Sequence, residues 1–394
     1  MSAPSDTYLG LLPLRSEGRL TFPKYTLMTG CWGLDELELA HKHGYQVLEI
    51  FEIYHWGPDN RSADKFKGYI SYFLRMKQEA EGWKKLGASS ATPSEEEKDC
   101  LVEELYQENG FIGRIRKEKV QMKKILRSLG KRFLNSAYGK FAQKNRNEGD
   151  AVIYGYQQFL ELFQNPEVDP MTFDYRQVGS NSFKVHYEYK EAFLKMSGNT
   201  NVWIAAKVTE HARCVLHQRA LEIGEEKVLY CDTDSLIYLH KKTEPMNIGR
   251  GLGKFTDEKK GCYIEEYYAV APKCYFLKIR EEPDLEKKAK GIQLTLANQE
   301  RIHVPALREM LEKYLKEPDQ MKPILCDYFT IRANHLENTG LRYGVLTSNE
   351  GEKWLTPVIT KRQVVRPAEI NWEEMETIDT IPLCDEEEWL EEFN

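Results

Sequence analysis

The stretch that decides the reading is Lys227-Val228-Leu229-Tyr230-Cys231-Asp232-Thr233-Asp234-Ser235-Leu236-Ile237-Tyr238-Leu239-His240. Two apolar, aromatic-rich runs flank a short polar turn, the pattern of two antiparallel strands joined by a tight connection. The turn holds two carboxylates one residue apart, Asp232 and Asp234. Anions that close repel each other and raise each other's pKa unless a cation lies beside them. Mg²⁺, a hard ion that prefers carboxylate and phosphate oxygens, is the usual remedy. The alternative is an ordinary hairpin turn whose Asp and Ser side chains hydrogen-bond backbone groups. The rest of the chain decides between them.

A chain of 394 residues can bury a large core and form two or three subdomains. Its 41% hydrophobic and 30% charged residues place it among soluble globular proteins. No apolar run approaches membrane-spanning length, and the first residues lack the pattern of a signal peptide, so an intracellular protein without a membrane partner is expected. The eight cysteines are scattered with no Cys-x-x-Cys pair, which predicts reduced thiols and no structural zinc.

The net charge of −7 is unevenly distributed. From Phe111 to Arg146 there are twelve Lys and Arg against one acid, Glu118. From Pro367 to Asn394 there are eleven acids and no base, and without them the net charge becomes +4. A local excess of cations is a candidate phosphate-binding surface.

Periodicity predicts helices over Asp35–His43, Lys65–Gly82, Glu95–Glu108 (acidic and peripheral), Val202–Ile223 (buried) and Val304–Tyr314. One long basic helix is expected over Ile115–Gln143. Strands are expected over Tyr8–Leu12, Tyr45–Tyr54, Ala151–Tyr156, Asp174–Val178, Ser182–Tyr189, Cys262–Ile279 and much of Tyr328–Val365. The glycine-rich Gly249-Arg250-Gly251-Leu252-Gly253-Lys254 reads as a turn, because Phe255 stands where a phosphate-binding loop needs a hydroxyl. On the basic helix, Lys119, Lys123, Arg127, Lys131 and Asn135 follow one another by four, a row along one side that Tyr138 extends. Such cations suit a triphosphate or a strand's phosphates, and a Tyr ring offers a flat surface for a base.

Lys131-Arg132-Phe133-Leu134-Asn135-Ser136-Ala137-Tyr138-Gly139 contains Lys-x-x-x-Asn-Ser-x-Tyr-Gly, which resembles the fingers-helix motif of family B DNA polymerases. Tyr230-Cys231-Asp232-Thr233-Asp234-Ser235 resembles that family's palm metal motif, and Lys273-Cys274-Tyr275 its Lys-x-Tyr primer motif. The three occur in the family's order. Gly30-Cys31-Trp32-Gly33-Leu34-Asp35-Glu36-Leu37 and Asn201 to Thr209 with Ala212-Arg213 resemble two palm segments. The wording is most similar to the protein-primed branch, and within it to the polymerases of Maverick/Polinton transposons and related viruses.

The resemblance implies an α+β fold, a family B palm with helical fingers and a mixed strand/helix thumb-like region. Residues 1–110 would be palm, 111–146 the fingers helix, and 147–200 an insertion similar to a second terminal-protein region. Residues 201–295 would be palm with the hairpin, 296–366 thumb-like, and 367–394 an acidic tail. Asp234 and Asp232 would be the catalytic carboxylates and bind Mg²⁺, two ions in the complete enzyme. Lys131, Asn135 and Tyr138, with Lys119 and Arg127, would bind the incoming dNTP; Lys273, Tyr275 and Gly139 would hold primer and template. The implied reaction is in-line transfer of a nucleotidyl group to a primer 3′-hydroxyl with release of pyrophosphate. The implied partners are a DNA primer-template and dNTPs, with a terminal protein as primer.

One element of the pattern is absent. The family's first palm carboxylate strand, Asp-x-x-Ser-Leu-Tyr-Pro, has no counterpart ahead of Trp32, nor do the exonuclease motifs. The expectation is therefore a C-terminal part of a polymerase, truncated or working with a separate N-terminal part, that binds DNA but does not extend primers alone. Two readings compete: a catalytically inactive DNA-binding remnant of a mobile element, and an Asp-x-Asp glycosyltransferase. The second leaves the Lys131–Gly139 wording without purpose. A reverse transcriptase is disfavoured because its metal turn usually carries adjacent aspartates.

Overall fold

The computed structural model describes residues 1–16, 18–60, 62–110, 113–143, 148–194, 198, 200–241, 248–249, 251–259, 261–334, 345–358, 361–365 and 378–384. Lys144, Arg146, Arg250 and most of the acidic tail lie outside them. The elements in chain order are β1 (Leu14–Ser16), β2 (Arg19–Thr21), α1 (Leu34–Lys42), α2 (Lys67–Glu79), α3 (Trp83–Leu86), α4 (Glu95–Glu108), α5 (Lys124–Phe141), β3 (Glu148–Tyr154), α6 (Gly155–Phe163), β4 (Val168–Gly179), β5 (Ser182–Tyr189) and α7 (Val202–Ile223). There follow β6 (Val228–Asp232), β7 (Ser235–Tyr238), β8 (Ile264–Ala271), β9 (Cys274–Ile279), β10 (Glu286–Ala289), α8 (Leu296–Arg301), α9 (Val304–Lys316), β11 (Ile324–Asn334), β12 (Val345–Leu355), β13 (Arg362–Val364) and β14 (Thr380–Pro382). The fold is α+β, with small sheets of two or three strands among the described residues. The chain divides into two compact units: residues 1–62, 209–333 and 346–394, and residues 63–208 with 334–345.

In the second unit, α2 packs on α5 at Gly130, which α5 buries. A methyl group there would sit 3.0 Å from the Phe73 carbonyl oxygen and 3.1 Å from Lys77 Cβ. That close approach accounts for a glycine in a helix interior, where it costs about 1 kcal/mol relative to alanine. Phe133 stacks on Phe73 with ring centroids 4.5 Å apart, and the Tyr69 hydroxyl donates to the Phe133 carbonyl. Helix α4 begins at Ser94, whose hydroxyl accepts the Glu97 N–H, and three glutamates fill its first turn, as the helix dipole favours. Leu101, Val102 and Leu105 join α4 to a core with Trp83, Leu86, Ile115 and Val120. Strands β3, β5 and β4 form an antiparallel sheet around Ile153, Val168, Val185 and Tyr187.

In the first unit, the sheet β10-β9-β8 packs its Tyr268, Val270 and Phe276 against Leu307 and Met310 of α9. A second core gathers Met1, Leu11, Leu12, Met28, Ala40 and Tyr45. Gly33 leaves room for the buried Glu210 carboxylate, 2.0 Å from where a Cβ would lie, and Glu210 accepts the Asp35 N–H at the start of α1. Arg213 pairs with the buried Glu36. The segments around Gly30–Leu37 and Ala212-Arg213, both singled out in the sequence, thus meet through two buried acids.

Several expected elements differ. Residues 8–12 form no strand; Leu11 and Leu12 are buried as irregular backbone beside the Tyr45 hydroxyl, which accepts the Leu11 N–H. Residues 47–54 alternate as a strand should, yet no described strand pairs with them, and Phe51 and Ile53 are each 75% exposed. The basic segment is not one helix: α5 starts at Lys124, because the N–H groups of Gln121 and Lys123 donate to the Glu79 and Ala80 carbonyls at the end of α2. Lys119 lies in a separate 3₁₀ turn, Lys117–Lys119, so the row spaced by four begins only at Arg127. The strand expected through Tyr156 ends at Tyr154, and α6 begins at Gly155, whose φ of 74 turns the chain there. Helix α7 has the expected bounds but is not buried along its length; Val202 is 62% and Val208 44% exposed. Part of the acidic tail is ordered structure: β14 pairs with β13, and Leu383 accepts the Lys24 N–H.

Candidate functional site

Strands β6 and β7 pair with Cys231 opposite Leu236 and Asp232 opposite Ser235, leaving Thr233 and Asp234 as the turn. The Asp234 N–H and the Ser235 hydroxyl both donate to the Asp232 carbonyl, at 2.6 and 3.1 Å. The Thr233 hydroxyl donates to Asp232 Oδ1 at 3.0 Å. Thr233 has φ 57, a left-handed conformation that a β-branched residue adopts at a cost of about 1–3 kcal/mol. The Asp234 carboxylate is exposed and has no hydrogen bond or ion pair among the described residues.

A second turn, Pro272-Lys273, joins β8 to β9 and meets the first. Lys273 Nζ lies 3.2 Å from Asp232 Oδ2. Its backbone is held on both sides: its N–H donates to the Tyr230 hydroxyl at 3.1 Å, and its carbonyl accepts the Lys290 N–H at 3.2 Å. Lys273 has φ 60, where glycine is the usual residue. Among the described residues three non-glycine positions have positive φ, Thr233, Lys273 and Glu281, and two of the three belong to these facing turns. Strain concentrated at one place is a mark of a functional site.

Behind the turns the Tyr230 and Tyr275 rings lie 5.0 Å apart, with Tyr267 6.2 Å from Tyr275. The Tyr267 hydroxyl is buried without a hydrogen-bond partner among the described residues. Burial, and then the neighbouring tyrosines, push its pKa up. Burial also raises the Tyr230 pKa, partly offset by the Lys273 N–H.

In the other unit, the basic run splits into two parts. Arg116 forms a two-pronged pair with the buried Glu79, and its N–H donates to the same carboxylate. Burial raises the Glu79 pKa, but the Arg116 guanidinium and N–H outweigh it and hold Glu79 below the usual carboxylate range. Arg114 pairs with Glu103, Lys117 with Asp99 and Glu95, and Arg127 with Glu81. Helix α4 is therefore not peripheral to the charge: its acids neutralise the first part of the run. Lys119, Lys123, Lys124, Lys131, Arg132 and Lys140 make no ion pair among the described residues. Lys131, Asn135 and Tyr138 share one side of α5, and all three are exposed, as is Gly139.

Of the residues singled out in the sequence, Asp232, Lys273 and Tyr275 are gathered around one pair of turns, with Asp234 at the tip of the first. Tyr230 stands in the quoted hairpin motif without a role of its own there, and Lys290 carries no sequence signal beyond a lysine-rich stretch; both hold Lys273 in place. Two carboxylates, one without a partner among the described residues, suit a hard divalent ion in kind. They are few in number: the described residues hold no cluster of three or more His, Cys, Asp or Glu able to bind a metal. No described helix is long and apolar enough to cross a membrane. Compared with protein-family models, curated proteins and solved structures, the chain matches none.

Proposed function

We propose that the chain acts in template-directed DNA synthesis as part of a DNA-directed DNA polymerase of family B type, in the protein-primed branch. The observation that carries the reading is the meeting of two motifs distant in sequence: Lys273 of Lys-Cys-Tyr lies against Asp232 of Asp-Thr-Asp, each in a strained turn. A hairpin that merely capped its own backbone would have no need of that lysine.

In this reading Asp232 and Asp234 would hold Mg²⁺, which when bound supplies charge neutralisation and activation of the primer hydroxyl. Lys273 binds a phosphate of the primer strand, and the Tyr275 ring supports the backbone beside it. Tyr230 fixes the height of the Lys273 turn through its hydroxyl. Lys131 neutralises phosphate charge of the incoming nucleotide, and Asn135 and Tyr138 offer an amide and a ring to its base or sugar. Lys119 would add phosphate-binding charge from its separate turn, Gly139 would meet primer or template, and Arg127, paired with Glu81, braces α5 rather than meeting the nucleotide directly. The palm, fingers and thumb assignments of residues 1–366 belong to this reading, as do a terminal protein and a separate polymerase part as partners.

The test is binding of a labelled primer-template over a salt series, followed by Mg²⁺-dependent nucleotide incorporation. The affinity falls steeply with salt, and Lys131→Ala lowers the slope of log K against log salt by about 1. Template-directed incorporation by the chain alone that Asp234→Ala abolishes supports the enzyme reading and overturns the need for a separate N-terminal part. Binding without incorporation is expected of a part that works with a separate N-terminal part and is equally the behaviour of a DNA-binding remnant; absence of salt-dependent binding overturns both.

A further inference from the structure

We propose that Lys273 is a resident counter-cation of Asp232 that exchanges onto a nucleic-acid phosphate, coupling DNA binding to divalent-cation binding at the Asp232–Asp234 turn. The inference rests on the polymerase reading of that turn and adds the order in which its charges are satisfied.

The carboxylate oxygens of the turn are in different states. Asp232 Oδ1 accepts the Thr233 hydroxyl and Oδ2 faces Lys273 Nζ at 3.2 Å, while the Asp234 carboxylate has no partner among the described residues. A divalent cation therefore meets Asp234 uncontested and competes with an ammonium for Asp232. The competition is mild, because the Lys273 side chain is 58% exposed and that of Asp232 30%. A solvent-exposed pair of this kind is weak and open to exchange.

The backbone of Lys273 is not free to follow its side chain. The Tyr230 hydroxyl and the Lys290 N–H hold it at φ 60, in a conformation lysine rarely adopts. The ammonium must choose among anions that reach this turn: Asp232, or a phosphate brought in from solution. A phosphate that takes Lys273 releases Oδ2, and Asp232 then joins Asp234 as a ligand. Linkage makes the effect reciprocal: the cation, by occupying Asp232, frees Lys273 for phosphate.

The experiment measures Mn²⁺ binding to the full chain by electron paramagnetic resonance of the free ion. It is run without DNA and with a short primer-template, whose own Mn²⁺ uptake is subtracted. Lys273→Gly removes the side chain while suiting the left-handed turn, and Lys273→Ala is the second variant; melting and circular dichroism verify folding. Without DNA, both variants bind Mn²⁺ about two- to fivefold more tightly than the parent chain. Primer-template tightens Mn²⁺ binding by the parent more than by either variant, and Lys273→Arg, which keeps the charge, behaves as the parent. Equal Mn²⁺ affinities of parent and variants overturn the coupling and leave the metal turn standing. Absence of Mn²⁺ binding, or binding that Asp234→Ala does not weaken, overturns both.

Discussion

Arg116 and Lys131 belong to one basic run, and their surroundings make them different residues. Arg116 is wrapped around a carboxylate that is 6% exposed, whereas Lys131 stands on α5 with no ionic partner among the described residues. The acids that neutralise the first part of the run come from α2 and α4, elements that read in the sequence as an amphipathic helix and an acidic one. A count of charges along the chain therefore overstates the phosphate-binding surface. Among the described residues, what remains for a ligand is Lys119, Lys123, Lys124, Lys131, Arg132 and Lys140.

The largest effect that separates the two parts is on stability. Arg116→Ala leaves Glu79 buried without its partner and costs about 3 kcal/mol, seen as a lower urea midpoint. Lys131→Ala changes stability by less than about 0.5 kcal/mol and acts only on DNA affinity and its salt slope. If Lys131→Ala destabilised the protein as Arg116→Ala does, the division of the run would be wrong.

Acid titration separates the two units in the same way. His217, edge-on to Phe22 in the first unit, has its pKa lowered to about 4 by burial and then by Arg213. Its unfolded value is near 6.5, so the unfolded chain takes up the proton first. The stability it leaves intact at neutral pH is lost as pH falls from about 6.5 to 4, up to about 3 kcal/mol. Glu79 is depressed instead, and its contribution is lost only as pH falls below the ordinary carboxylate value. Hydrogen exchange followed peptide by peptide should therefore show α7 around His217 loosening near pH 5, while α2 stays protected. His217→Phe should flatten the first response alone.

These contrasts also mark what the sequence could reveal. Helices α1, α2, α4, α7 and α9 were legible because an apolar stripe at helical spacing is a local property. The Asp-Thr-Asp hairpin was legible for the same reason, its strands and its turn being adjacent. The break before α5 was not, because it depends on Gln121 and Lys123 finding the free carbonyls at the end of α2. Nor was the pairing of Lys273 with Asp232, or of Arg116 with Glu79, since neither residue type nor spacing names a partner so distant. Residues 47–54 show the converse: alternation predicts a strand, but a strand needs a neighbour to take its N–H and C=O groups, and none is described.

Packing at Gly130 gives a smaller test of the α2–α5 contact. Gly130→Ala gains about 1 kcal/mol of helix propensity and must push the Phe73 carbonyl aside by a few tenths of an ångström, so the two nearly cancel. Gly130→Leu has no such compensation and should cost about 1–3 kcal/mol. A thermal melt that ranked the two variants equally would mean that the helices part freely there.

The smallest expected effect is the most informative about the turn. Asp232 accepts the Thr233 hydroxyl and faces Lys273, whereas the side chain of Asp234 touches no charged or hydrogen-bonding partner among the described residues. Asp232→Ala should therefore lower stability by about 1 kcal/mol, and Asp234→Ala should leave it within about 0.5 kcal/mol. An acid with no structural contact, at the tip of a turn strained at Thr233, contributes nothing to the fold that its neighbour does not. If Asp234→Ala lowered the melting temperature as much as Asp232→Ala, its carboxylate would be a structural group like any hairpin aspartate. If it lowered Mn²⁺ binding alone, the strain at Thr233 would have its explanation: the turn is shaped to hold Asp234 out toward a cation.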